Sequence, residues 1–346
     1  MEDKIKRLMK RAGLGKVEEI SLNSKQGLSH VLYRVKTQKG EYAVKKLKGN
    51  LSENAIKRMN TCGEIAAYVS QYFSTVAPKV ILGKTVLEEG DDKFQVFDYI
   101  NGEVLTTSAK LTPFHAQKVG KILGTLHYID YKELKPPKYS DSEPPLNIDW
   151  DSYIEKGVGL NASWASLLEN FKDVLCSLYQ EGAVAKRFAD TELKVMVHGD
   201  THKHNVLWRD NEPHVIDWDH LQYRSPYENF IVTSLYWSLS GENTLSPVLD
   251  NDKLAAFTRG YLEGARPYHK NVFINANLKM YIAYTIFSYI RYGLRNLDSY
   301  LEKAEKGSIQ ELEAIAYRAD FFFKYAFAIN HYEHEIRNTI TKELNR

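Results

Sequence analysis

Over residues 1–99 the apolar positions change period several times, and each period predicts an element. Ile5, Leu8, Met9 and Ala12 recur at helical spacing among charges, which predicts an amphipathic N-terminal helix. VLYRV (31–35) and EYAVKKL (41–47) are rich in β-branched and aromatic residues, and the turn-prone TQKG between them makes a hairpin. A proline-free helix is expected over 52–73, and Pro78 ends that stretch. KVILGKTVL and KFQVFDYI predict two more strands.

Past Asn101-Gly102 the pattern becomes mostly helical. Thr112-Pro113 opens a helix running to about residue 129. Four prolines between 136 and 151 mark an irregular loop, and helical periodicity returns over 162–188 and from 226 to the end. A β-rich insert, MVHGD…VIDWD, interrupts this half. The expectation is an α+β chain: a small lobe over 1–99, with an antiparallel sheet and one main helix, joined at 98–102 to a larger, mostly helical lobe over 100–346.

The insert carries the densest chemistry. In HGDTHKHN, His198, Asp200, His202 and His204 alternate, so an extended strand would put four metal-binding side chains on one face. That would suit a metallohydrolase. Such a site needs ligands from further segments, and HYEHE near the C-terminus, with His331 and His334, lacks the His-Glu-x-x-His spacing. The competing reading pairs NVLW with HVI about the turn RDNEP, setting Arg209 opposite Pro213 and Asn205 opposite Asp217. Directly paired residues have Cβ atoms about 5 Å apart, close enough for Asn205 and Asp217 to grip Mg²⁺. Asp200 is then placed to accept a hydroxyl proton, and Asp219 can join the metal or help position substrate. These are the parts of a phosphoryl-transfer site. A helical-protein loop with chance histidines is the bland alternative, which the ordered set of four residues disfavours.

Elsewhere, Ala43 and Lys45 share one face of a predicted strand, so Lys45 can reach nucleotide phosphates beside a small residue that leaves room for a base. Lys46 points the other way. Glu64 in the next helix is expected to pair with Lys45, with Glu53 as the alternative. Gln26-Gly27-Leu28-Ser29-His30 bends between strands, and Gly27 and Ser29 are placed to lay backbone N–H groups over phosphates, although an ordinary hairpin turn fits equally. The backbone of Phe97-Asp98-Tyr99-Ile100, at Asp98 and Ile100, is positioned to bond an adenine edge.

Bulk properties narrow the function classes. Across 346 residues the formal net charge is +2 and charged residues make up 26%, so nothing pulls the chain toward nucleic acid or a membrane surface. Cys62 and Cys176 fit neither a disulfide framework nor a zinc knuckle. MYIAYTIFSYI (280–290) is shorter than the roughly 20 residues a spanning helix needs. A cytoplasmic protein is expected. The spacing of Tyr281, Tyr284, Tyr289 and Tyr292 signals helix packing ahead of a substrate pocket. Arg291 and Arg295 fit a solvated face ahead of an anion site, and Asp149, Trp150 and Asp151 are weaker candidates for an acceptor site.

With YAVK, the hinge-like FDYINGEVL, HGDTHKHN and VIDWD in this order, the chain resembles the protein-kinase-like aminoglycoside phosphotransferase and choline kinase superfamily. Within it, the wording around the motifs looks most like the CotS/YtaA group of spore coat-associated kinase-like proteins. The resemblance implies a two-lobed kinase fold, ATP and Mg²⁺, and a small-molecule or glycan hydroxyl as acceptor. It also implies a place in the endospore coat among other coat proteins. One position departs. Many relatives carry an aspartate about twelve residues past the metal aspartate to brace the catalytic loop, and counting from Asp217 reaches Asn229, with Glu228 beside it. An ATP-dependent phosphotransferase and a kinase-shaped coat component with weak or no turnover therefore both remain open.

Overall fold

The structure, a computed structural model, describes residues 1–22, 30–49, 51–106, 110–131, 134, 147–191, 194–240, 247–269, 271–273, 276–308 and 311–346. The chain divides into two compact units: Met1–Lys110 with Tyr128–Tyr139 and Met196–Tyr223, and Leu111–His127 with Ser140–Val195 and Arg224–Arg346. The insert thus belongs with the N-terminal sheet although it lies a hundred residues downstream.

In the first unit, β1 (Val17–Leu22), β2 (Val31–Thr37), β3 (Gly40–Leu47), β4 (Leu87–Glu89) and β5 (Asp92–Asp98) form an antiparallel sheet ordered β1-β2-β3-β5-β4. The predicted hairpin is β2–β3, with Thr37 facing Gly40 across its turn. Val44 faces Val96, and both are fully buried. Against them packs α1 (Glu2–Arg11), whose Ile5, Leu8 and Met9 are at 0% exposure. Each such side chain adds about 2 kcal/mol by burial. Acidic residues in its first turn and basic ones in its last suit the helix dipole. Lys4 bonds Asp92, and Arg7 bonds Glu89.

Helix α2 (Glu53–Val69) starts at Ser52, whose hydroxyl accepts from the Ala55 N–H. It ends at Ser70, short of the expected 73. The strand expected over KVILGKTVL is mostly absent. Leu82 and Gly83 have φ of +51° and +74°, so the chain turns back on itself as an Ile81–Lys84 bridge, and only 87–89 pairs as strand.

The insert supplies β7 (Val195–Val197), β8 (Val206–Arg209), β9 (Glu212–Val215) and β10 (Gln222–Arg224). With β6 (Glu103–Val104), β8 and β9 make a three-stranded sheet ordered β6-β8-β9, and β7 pairs β10. Segment 74–76 is tied to β9: the Val76 N–H and the Thr75 hydroxyl both donate to Val215 O, at 2.8 and 2.9 Å.

The second unit is helical: α3 (Pro113–Tyr128), α4 (Trp150–Gly159), α5 (Ala165–Ala189), α6 (Pro226–Ser238), α7 (Asn251–Ala265), α8 (Leu278–Glu305), α9 (Leu312–His331) and α10 (Glu333–Leu344). Helices α3 and α7 approach through glycines. A Cβ on Gly120 or Gly124 would lie 2.2 or 2.1 Å from the carbonyl of Phe257 or Tyr261, and one on Gly260 or Gly264 would meet Gln117 O or Lys121 O as closely. Tyr281 and Tyr289 are buried, and Tyr289 stacks on Tyr325 at 5.7 Å, so this tyrosine spacing serves packing. The candidate acceptor residues are structural too: Asp149 caps α4 through Ser152 N, Trp150 is buried, and Asp151 pairs with Lys172. Arg291 and Arg295 lie over the rings of Phe287 and Tyr292.

Candidate functional site

The site of the first unit is built by β3, the turn after β7, and the turn after β9. Position 45 faces Gln95 on β5, and Lys45 projects its ammonium to Asp217 Oδ1 at 3.0 Å and Asp219 Oδ2 at 2.7 Å. Burial disfavours the charged form of Lys45, yet the two carboxylates outweigh it and hold its pKa above the usual value. Asp217 mirrors this. Burial opposes its ionisation, but the Lys45 ammonium keeps its carboxyl below the usual range. Its side chain stays 41% exposed, against 12% for Lys45, so it remains open to a ligand.

Asp217 sits at φ +62°, ψ +66°, a left-handed conformation uncommon for a residue with a side chain. A short 3-10 turn, Trp218–His220, follows directly. Trp218 anchors it by donating from Nε1 to Thr75 Oγ1 at 2.8 Å. Its ring stacks near Phe73 and meets the edge of His198 at 4.6 Å.

The catalytic-loop candidate is not extended. A 3-10 turn over Lys203–Asn205 folds it, with the Asn205 N–H donating to His202 O and the His204 N–H to His202 Nδ1. The four alternating side chains are therefore not on one face, and the metallohydrolase geometry is not formed. His198 is fully buried. Its Nε2 donates to Ile216 O at 3.0 Å, and burial pushes its pKa down to about 4, so it is neutral. His202 accepts at Nδ1, leaves its proton on Nε2 and presents that atom to Asp200 Oδ1 at 3.4 Å. Among the described residues no group of three or more His, Cys, Asp or Glu is gathered to hold a metal.

Asp200 and Asn205 are brought together. Asn205 Nδ2 donates to Asp200 O at 2.9 Å and to Asp200 Oδ2 at 2.8 Å. With its NH₂ committed there, the amide oxygen faces the opposite side. Burial raises the cost of ionising Asp200, but His202 and the other imidazoles around it more than offset this, and its pKa lies below the usual range. Gly199 makes the loop possible: its φ is +82°, and a Cβ would fall 2.4 Å from His220 O.

Three expectations need correction. The hairpin register is one residue tighter than predicted: Arg209 faces Glu212 and Trp208 faces Pro213, and the Ile216 N–H donates to Asn205 O. Asp210 and Asn211 both have positive φ, +54° and +62°, the two-residue type I′ pattern, where a longer loop was assumed. Asn205 is thus level with Ile216, and Asp217 follows one residue later, turned by its left-handed backbone. Second, the Lys45–Glu64 pair is not formed. Lys45 is held by the two aspartates, whereas Glu64 is exposed and lines an open depression with Glu53, Lys57 and Glu88. One residue of α2 that does reach this site is Arg58, whose Nη2 donates to Asp219 O at 2.8 Å. Third, Asn229 makes its side-chain contact with a histidine: Oδ1 lies 3.0 Å from His127 Nε2, and His127 Nδ1 lies 2.8 Å from the Tyr261 hydroxyl. Burial pushes His127 down to about 4, so an uncharged amide meets an uncharged imidazole.

In the segment expected to join the lobes, the Tyr99 N–H donates to Glu41 O at 3.0 Å. Tyr42 and Asp98 are then a non-hydrogen-bonded pair, and the backbone N–H and C=O of Asp98 turn away from β3. The Asp98 carboxylate pairs with Lys79, and Ile100 O accepts from the Gly102 N–H. Gly27 and Ser29 lie outside the described residues.

Solved structures share this architecture. A spectinomycin phosphotransferase in complex with ADP and spectinomycin is similar at a TM-score of 0.63 and 16% identity, covering 95% of this chain and 98% of that one. Choline kinase from Cryptosporidium parvum is similar at 0.58 and 15%, covering 97% of each chain. Choline kinase LicA from Streptococcus pneumoniae is similar at 0.55 and 16%, covering 96% and 99%. At such identities the likeness establishes the fold, which is kinase-like: an antiparallel sheet unit and a larger helical one. Comparison with curated proteins returns no match. The model of the phosphotransferase enzyme family matches residues 23–268, spanning Lys45, the Asp200–Asn205 loop and Asp217, and the chain belongs to that family.

Proposed function

We propose that the protein transfers the γ-phosphoryl group of ATP, with Mg²⁺, to a hydroxyl of a small molecule or glycan. The observation that carries this reading is the Lys45–Asp217–Asp219 cluster, a half-buried cation facing two carboxylates beside the Asp200–Asn205 pair. In this reading residues 1–99 hold the nucleotide, and residues 100–346 carry the catalytic loop and the acceptor side.

The donor set suits a hard cation. Asn205 offers an amide oxygen once its NH₂ is spent on Asp200, and Asp217 offers an accessible carboxylate. Mg²⁺ held there would neutralise phosphate charge during transfer. Lys45 would exchange one carboxylate partner for phosphate oxygens. The Asp98 and Ile100 backbone would meet the base, and Gly27 and Ser29 would cover the phosphates. Asp200 would orient the acceptor hydroxyl and take its proton. Its lowered pKa makes it a weak base, suited to receiving the proton late, as a loose phosphoryl-transfer transition state requires.

A second reading has one observation in its favour. Asn229, where many superfamily relatives carry aspartate, holds a neutral His127, and the motif wording resembles the CotS/YtaA coat group, so a coat component with weak turnover is its natural form. Measuring ATP consumption against amino alcohols, sugars, aminoglycosides and coat polysaccharide separates the two. Stimulation by one acceptor class supports transfer, and none with any class supports the coat reading.

A further inference from the structure

Helix α2 is fixed to the sheet unit on one side and reaches the metal-ligand turn on the other. On the fixed side, Asn60 Oδ1 accepts from the Thr85 N–H, the Val86 N–H and the Thr85 hydroxyl, at 2.7, 2.9 and 3.1 Å. Gly63 sits so close that an added Cβ would lie 2.6–2.7 Å from Thr85 and Pro78 side-chain atoms. On the other side, Arg58 donates to the main-chain carbonyl of Asp219. That carbonyl belongs to the 3-10 turn that follows the left-handed Asp217.

From these contacts we infer that Arg58 is a positioning residue: it sets the turn that aims the Asp217 carboxylate. This inference rests on the phosphotransferase reading given above. Among the described residues, other side chains also hold the turn: Trp218 bonds Thr75, Lys45 bonds Asp217 and Asp219, and Gln222 Nε2 donates to His220 O at 3.2 Å. The Lys45 contacts compete with metal and phosphate for the same groups. When Lys45 turns to the nucleotide, Arg58, Trp218 and Gln222 remain, and Arg58 grips the main chain beyond Asp217 from a separate element, α2. A guanidinium on a carbonyl suits this task, because it fixes the backbone without competing for either carboxylate. Control of this turn from α2 thus runs through the Asp219 carbonyl rather than through a glutamate on Lys45.

The test is a Mg²⁺ titration of ADP-induced thermal stabilisation in the full chain, for wild type, Arg58→Met, Arg58→Lys and Glu64→Gln. Loss of one charge-assisted hydrogen bond predicts that Arg58→Met raises the Mg²⁺ concentration at half-maximal stabilisation by about tenfold. Stabilisation by ADP without metal stays within twofold of wild type, which a general distortion of the unit would not allow. Arg58→Lys recovers part of the shift. An unchanged Mg²⁺ midpoint in Arg58→Met, an equal loss of metal-free ADP binding, or a shift in Glu64→Gln instead would each overturn the inference. Wild type failing to respond to Mg²⁺ and ADP at all would overturn the phosphotransferase reading, and Arg58 as positioner with it.

Discussion

Lys45 Nζ lies 2.7 Å from Asp219 Oδ2 and 3.0 Å from Asp217 Oδ1, so one ammonium balances two carboxylates in a partly buried site. Without it, two negative charges would face each other in a medium of low effective dielectric, at considerable cost. In the proposed phosphotransferase, the same charge imbalance would draw in a divalent cation once Lys45 turned to phosphate.

Lys45→Met should lower turnover at least about a hundredfold, because it removes a preorganised cation from the transferring phosphate. It should also raise the pKa of Asp217, whose ionisation Lys45 supports against burial. Steady-state kinetics and a carboxyl-resolved NMR titration check the two parts. Unchanged turnover would remove Lys45 from the site.

Asp200→Asn should cut kcat by about a thousandfold while leaving Mg·ADP stabilisation in place. Because Asp200 already lies below the usual carboxylate range, wild-type kcat should not rise between pH 6 and 8 on its account. A variant that loses nucleotide binding together with kcat would argue for a structural role.

Stability should fall as pH drops from about 6.5 to about 4. His127 and His198 are buried and neutral, with pKa values pushed down to about 4 from 6.5. In that window the unfolded chain takes up protons that the folded one refuses, so stability rises with pH and levels off above 6.5. Each histidine contributes on the order of 3 kcal/mol across the window. The lowered carboxylates Asp200 and Asp217 act in a different range, their stabilising effect fading only as pH falls below about 4. Melting temperature against pH tests this, and a flat profile between 4.5 and 6.5 would contradict it.

Gly124→Ala should destabilise the helical unit by about 3 kcal/mol, since its Cβ would fall 2.1 Å from Tyr261 O and neither backbone can yield cheaply. The urea midpoint measures this, with Lys121→Gly, at an exposed position of the same helix, as a reference for propensity alone. A loss no larger than in the reference would mean that α3 and α7 can separate.

How much of this was legible in the sequence depends on which contacts carry each feature. The β2–β3 hairpin and Lys45 on it follow from short-range pattern, as do Asp200 and Asn205 as candidates, whereas the hydrogen bonds between those two depend on the 3-10 turn that folds the loop. The β8–β9 register differs from the expected one because Asp210-Asn211 closes the hairpin as a two-residue turn, which its positive φ values permit. A direct Asn205–Asp217 opposition was expected, and the left-handed backbone at Asp217 that replaces it has no sequence signature beyond aspartate's tolerance for it. The role of Arg58 is not legible for a different reason: its partner is a carbonyl 161 residues away, and backbone acceptors look alike in every sequence. Glu64 was chosen for charge and distance along the chain, but the face of α2 it occupies points to solvent.

The most direct measurement is calorimetric titration of wild type and Asp217→Ala with a non-hydrolysable ATP analogue, with and without Mg²⁺. The expected result is tight binding to wild type only when Mg²⁺ is present, and loss of that metal dependence in Asp217→Ala. Binding that ignores Mg²⁺, equal binding by both proteins, or no binding by wild type would contradict a metal-assisted phosphoryl-transfer site.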